Sequence, residues 1–222
     1  MRVDYTADRA VENPSPQSSP LHEGERRIQH NAHVNLSAVL LAGGESRRMG
    51  KDKATLLFRG KPLWQTQLEL LRKLHPAEIL VSARTDPPWR TADVPLVTDH
   101  PPSRGPLSGL AAALAKMRSA HLLTLAIDMP FMSETYLRYL CDRIEAGVGV
   151  VPKIDNRAEP LAAIYPQEVA GEARAALSGT DYSLQTLTNR LVETGKLRSI
   201  PVTEHDKKLF LNVNELSDLA AL

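Results

Sequence analysis

Leu36-Ser37-Ala38-Val39-Leu40-Leu41-Ala42-Gly43-Gly44 is the stretch that decides the fold. An uncharged, mostly aliphatic run stops at two glycines. Too short for a helix, such a run is a strand buried on both faces of a parallel sheet. Open α/β sheets bind ligands just past the carboxyl ends of such strands. The next segment of this chain is cationic, with Arg47, Arg48, Lys51 and Lys53. Glycines let backbone N–H groups approach an anion, and clustered positive charge completes a site suited to a polyphosphate. A plain tight turn would also use Gly43-Gly44; the cations anchored to a strand end weigh against it.

Outward from this strand the pattern alternates. A helix opens near Pro62 with Trp64, Leu68, Leu71 and Leu74 on one face. Strands are expected at Glu78 to Ser82, Val94 to Val97 and His121 to Ile127, with a helix from Leu107 to about Arg118 between the last two. Ser133 can cap a helix whose Leu137, Leu140, Cys141 and Ile144 form a stripe. Beyond residue 147 two short strands, Val148 to Pro152 and Leu161 to Tyr165, flank a polar loop from Lys153 to Glu159. Helices over 167–178 and 183–194, a strand from Arg198 to Val202, an apolar turn from Leu209 to Val213 and a helix near Glu215 complete the chain. Such alternation makes an α/β fold, a mostly parallel sheet with helices on both faces.

The 222 residues suffice for one α/β domain. Residues 1–34 stand apart: they are rich in proline, serine and charge, lack an apolar period, and read as a disordered extension to a domain over 35–222. A net charge of +1 provides no global field toward nucleic acid or membrane. No apolar window is long enough to span a bilayer and no signal peptide is visible, so a cytoplasmic protein is expected. The single cysteine, Cys141, is a core residue rather than a disulfide or metal ligand.

Candidate site residues sit where strands end. Asp128 closes the most apolar strand ahead of Met129-Pro130, where a carboxylate suits Mg²⁺. Capping of the next helix is the alternative, but Ser133 is better placed for it. Asp99 ends another strand and suits a ribose hydroxyl or a base edge. The loop after it carries Gly105 and Gly109, either for close passage of a planar ligand or as an ordinary strand–helix connection. Asn212 and Asn214 project to one face of an extended segment. The histidines His75, His100, His121 and His205 form no ligand spacing, and neither Ser46 nor Ser108 has partners for a triad.

Leu41-Ala42-Gly43-Gly44-Glu45-Ser46-Arg47-Arg48-Met49-Gly50-Lys51-Asp52-Lys53 closely resembles the signature of the molybdenum cofactor guanylyltransferases. The resemblance continues in order through Gly105-Pro106-Leu107-Ser108-Gly109, Asp128-Met129-Pro130, Glu159-Pro160-Leu161 and Asn212-Val213-Asn214. It implies a Rossmann-like three-layer α/β/α sandwich that transfers GMP from GTP to the terminal phosphate of Mo-molybdopterin, with release of pyrophosphate. It further implies that Leu41, Ala42, Gly43, Gly44, Lys53, Ser82, Asp99 and Asp128 meet the nucleotide, Ser82 standing where other members carry asparagine. Arg48, Lys53 and Asp128 would be catalytic, Asp128 would hold Mg²⁺, and Gly105, Asn212 and Asn214 would lie near the second substrate or the phosphates. The substrates GTP and Mo-molybdopterin would be joined by molybdoenzymes or their chaperones as partners. A CTP-using relative, an enzyme acting on another small phosphorylated acceptor and a non-catalytic adaptor of the same fold are the alternatives.

Overall fold

A computed structural model of the chain describes residues 1, 35–43, 53–98 and 103–213. The expected first strand is present as β1 (Leu36–Leu41), with all six residues buried. After the signature loop the chain makes a hairpin that the apolar pattern does not show, β2 (Leu57–Phe58) against β3 (Lys61–Pro62). Its two-residue turn, Arg59-Gly60, has φ of 51° and 81°, the positive values that tight hairpin turns need. Helix α1 (Leu63–Arg72) follows, then β4 (Glu78–Ala83). β5 (Leu96–Thr98) begins later than expected, because Pro95 has no N–H for the ladder.

Helix α2 (Pro106–Lys116) starts with proline in its first turn, and β6 (His121–Ala126) is again wholly buried. Ser133 caps α3 (Glu134–Cys141), its hydroxyl accepting the Tyr136 N–H, as its position foretold. The loop expected at 153–159 is instead a tight return. β7 (Gly149–Ile154) pairs antiparallel with β8 (Arg157–Ala158) around Asp155, whose φ is 51°. β9 (Ile164–Pro166), α4 (Ala170–Leu177), α5 (Leu184–Glu193) and β10 (Leu197–Pro201) complete the regular elements, followed by a 3₁₀ turn at Lys207–Phe210.

The main sheet runs β10-β7-β9-β6-β1-β4-β5, with β8 paired to β7. β1, β4, β5 and β6 are parallel, as are β7 and β10, but β9 enters antiparallel to both β6 and β7. The sheet is therefore mixed rather than purely parallel. Alternate residues of β1 serve opposite faces. Ala38 and Leu40 pack with Leu68, Leu71 and Leu137 of α1 and α3, whereas Val39 and Leu41 pack with Leu110, Leu114 and Leu187 of α2 and α5. Three layers result. Every described element belongs to the unit Ala32–Leu222, and the expected extension beyond Met1 and the helix near Glu215 lie outside the described residues. Among the described residues, no helix is long and apolar enough to cross a membrane.

Candidate active site

The carboxyl ends of β4, β1 and β6 lie side by side and are laced together. The Ala42 N–H donates to the Ser82 carbonyl at 2.8 Å, and the Ile127 N–H to the Leu41 carbonyl at 3.1 Å. These bonds make one rim from three strand ends. Ala42 and Gly43 lie half-buried on it, while the Leu41 side chain is buried on the α2 face.

Lys53 is returned to this rim by a 3₁₀ turn, Lys53–Thr55, in which Ala54 is buried and Leu56 N–H bonds the Lys53 carbonyl at 3.0 Å. Its ammonium stands 3.6 Å from the Asp128 carboxylate, with side-chain exposures of 23% and 22%. A part-exposed pair of this kind adds no more than about 1 kcal/mol to stability. It is also open enough for each charge to exchange its partner, the cation for phosphate and the carboxylate for a metal ion.

The loop after β6 is held from two further sides. The Val213 N–H donates to the Asp128 carbonyl at 2.8 Å, and Gln67 Nε2 to the Met129 carbonyl at 2.6 Å. Val213 is buried, and Phe210 before it meets the Tyr136 ring edge-on at 5.3 Å. The C-terminal segment thereby brings the exposed Asn212 beside Asp128.

Ser82 and Gly109 both lie against this rim. The Ser82 side chain is buried at 2% exposure; its carbonyl anchors Ala42, which makes it a support of the rim. Gly109 packs against the sheet: a Cβ there would lie 2.5 Å from Ser82 Oγ, the close crossing that an ordinary strand–helix connection uses. Gly105, by contrast, precedes α2 with φ of 67°, the left-handed turn that glycine adopts freely. Behind it the Arg104 N–H donates to Ser108 Oγ at 2.8 Å, and the Arg104 guanidinium lies over the Tyr182 ring at 4.3 Å. Gly44, Arg48, Asp99 and Asn214 lie outside the described residues.

Two polar residues were missed by sequence reasoning. Gln67 sits on the core face of α1. Thr124 lies inside the otherwise aliphatic β6, where its hydroxyl is within bonding distance of the Pro160 and Ala163 carbonyls, at 3.1 and 3.0 Å. It pins the Glu159-Pro160-Leu161 segment against the middle of β6. A lone threonine in such a strand is the signal that could have found it. Burial raises the Glu159 carboxyl above its usual range, with Arg157 opposing. Burial pushes the Cys141 thiol up to about 11. His121 Nε2 lies 3.0 Å from the Glu145 carbonyl at the far end of β6.

Among the described residues no three His, Cys, Asp or Glu side chains cluster to hold a metal ion. Asp128 alone fits a hard divalent cation that draws its other ligands from water and substrate phosphates. A cavity of about 920 Å³ opens elsewhere, between β5, α2 and α4, lined by Thr98, Arg104, Ser108 and Lys116 among others. It runs along α2 and touches neither Lys53 nor Asp128.

Residues 38–194 match the model of the MobA-like NTP transferase domain. A probable molybdenum cofactor guanylyltransferase of Opitutus terrae is 34% identical over 186 residues, covering 82% of this chain and 92% of that protein. One from Mycobacterium tuberculosis is 33% identical over 196 residues, covering 85% and 93%. Among solved structures, the molybdopterin-guanine dinucleotide biosynthesis protein A of Archaeoglobus fulgidus superposes with a TM-score of 0.67 at 26% identity, covering 83% of this chain and 95% of that one. The 2-C-methyl-D-erythritol 4-phosphate cytidylyltransferase of Thermus thermophilus shares the fold at a TM-score of 0.57 and 15% identity, covering 82% and 95%.

Proposed function

Because the chain belongs to the MobA-like NTP transferase family, we propose that it is a molybdenum cofactor guanylyltransferase. It would move GMP from GTP to the terminal phosphate of Mo-molybdopterin and release pyrophosphate. The observation that carries the chemistry is the Lys53–Asp128 pair on the rim of β1 and β6. The names of the relatives carry the guanine and the pterin.

In the proposed reaction a terminal phosphate oxygen of the pterin attacks the α-phosphorus of GTP. A new P–O bond forms, the α–β bridging bond breaks, and its electron pair leaves on pyrophosphate. The nucleophile is already an anion, so the reaction needs no strong general base; it needs alignment and neutralised charge. The N–H groups at Ala42, Gly43 and Gly44 would cradle the phosphates. Lys53 would turn from Asp128 to the leaving pyrophosphate, with Arg48 on the triphosphate. Asp128 would hold Mg²⁺, which when bound offsets charge on the α-phosphate and the leaving group. Asp99 would meet the nucleoside, and Asn212 and Asn214 the second substrate. The domain over 35–222 would work in the cytoplasm and pass its product to molybdoenzymes or their chaperones.

A thermal-shift series with GTP, CTP and UTP in Mg²⁺ tests the nucleotide. A ligand at a hundred times its Kd adds about 2.7 kcal/mol to the native state, or roughly 5–10 °C in Tm for a chain of this length. GTP alone should produce it. A shift with CTP only would transfer the protein to the cytidylyl branch. Pyrophosphate release from GTP plus molybdopterin then separates turnover from mere binding.

A further inference from the structure

Asp128 lies in a loop beyond the end of β6, so its carboxylate is aimed by whatever holds that loop. Among the described residues, Ile127 N–H bonds the Leu41 carbonyl, Val213 N–H the Asp128 carbonyl, and both Met132 N–H and Gln67 Nε2 the Met129 carbonyl. The bonds from Ile127, Val213 and Met132 are backbone bonds that many sequences could make. The bond from Gln67 depends on one side chain.

Gln67 is fully buried on the core face of α1, in line with Leu63, Leu68 and Leu71. Its Oε1 has no hydrogen-bond partner among the described residues. A buried acceptor left unpaired is destabilising, and a leucine or methionine would fill the same space without that penalty. Only the donor half of the amide is used, and it is used on the Met129–Pro130 peptide, one residue beyond Asp128. We infer that Gln67 is a positioning residue: it fixes the Met129–Pro130 peptide, and with it the turn that carries Asp128, and so aims the carboxylate at the divalent cation carried by the nucleotide. The inference rests on the metal-holding role proposed for Asp128. Displacements near 1 Å in such supports lower turnover by up to about a hundredfold.

Gln67→Met keeps the volume and removes the donor. With Mn²⁺ as probe, titrated into protein plus GTP, followed by the EPR signal of the free ion and referenced to the same titration of GTP alone, the apparent Kd of the protein-dependent binding should rise about fivefold or more. Turnover should fall about tenfold, with KM for GTP changed less than about twofold. Thr188→Val is the control, since it removes a buried hydroxyl that bonds the Leu184 carbonyl at 2.8 Å within α5. A purely structural role makes the two variants alike, each lowering Tm and leaving Mn²⁺ affinity within about twofold of the parent; that result overturns the inference. Should Gln67→Met not fold, Gln67→Asn withdraws the amide by one methylene, and the same two outcomes decide. Asp128→Asn separates the two failures. If it abolishes the protein-dependent Mn²⁺ binding while Gln67→Met leaves it within about twofold of the parent, only the positioning role falls; if it too leaves that binding intact, the metal reading falls and takes this inference with it.

Discussion

Gly109→Ala puts a methyl group between α2 and the rim. The new Cβ would lie 2.5 Å from Ser82 Oγ, 3.1 Å from Leu41 Cδ2 and 3.4 Å from Ser82 Cβ. Non-bonded carbon atoms are most favourable near 3.5–4.0 Å, so the hydroxyl must retreat by roughly 1 Å. Ser82 and Leu41 are both buried, so the strain passes to α2 or to the strand ends. Overpacking of this size costs about 1–3 kcal/mol, against which alanine returns about 0.8–1 kcal/mol of helix propensity. The single variant should therefore sit only modestly below the parent.

The decisive comparison is with Gly109→Ala/Ser82→Ala, which deletes the clashing oxygen and leaves the 3.4 Å contact with Cβ. The double variant should exceed the single by about 1–3 kcal/mol, a coupling expected of touching residues, or roughly 2–12 °C in Tm. Because the Ser82 carbonyl holds the Ala42 N–H, the half-saturating GTP concentration in the same melts should worsen in the single variant and recover in the double. A Gly109→Ala protein melting above the parent, or a double variant no better than the single, would refute the reasoning.

Gly149→Ala meets a harder obstacle, since its Cβ would fall 2.0 Å from the Ile164 carbonyl oxygen. Backbone inside a paired sheet cannot rotate away, so a loss of about 3 kcal/mol or more is expected; a thermal melt within about 2 °C of the parent would contradict it. Glu159 supplies a pH dependence. Burial raises its carboxyl pKa, so the folded state holds the proton more tightly than the unfolded chain. Its contribution is fully favourable below the unfolded value and is lost as pH rises through the folded one. Glu159→Gln should thus raise Tm at neutral pH, with the gain fading as pH falls below the unfolded value of about 4.3, where the parent residue becomes protonated in both states. Melting curves across that range check the sign.

Local signals were enough where burial repeats along the chain. β1, β6 and the helices from Leu63, Pro106, Glu134 and Leu184 are visible as apolar periods with caps, because each residue's face is set by its own element. The β2–β3 hairpin was not visible, since Arg59 occupies a left-handed position that usually advertises itself as asparagine, aspartate or glycine. The surroundings of Ser82 and Gly109 were not visible for a related reason: which side chain packs opposite a small residue is set across the sheet and not along the chain.

The sequence by itself determined the alternating α/β pattern, the glycine–cation signature after the first strand and the family, because periodicity, glycine placement and an ordered signature are properties of neighbours in the chain. Tertiary structure alone decided that Lys53 faces Asp128, that β9 runs antiparallel between β6 and β7, and that Gln67 and Val213 hold the loop on which Asp128 sits. Those relations follow from strand order and from helix packing across the sheet. They join residues far apart in the chain, and no local spacing encodes them.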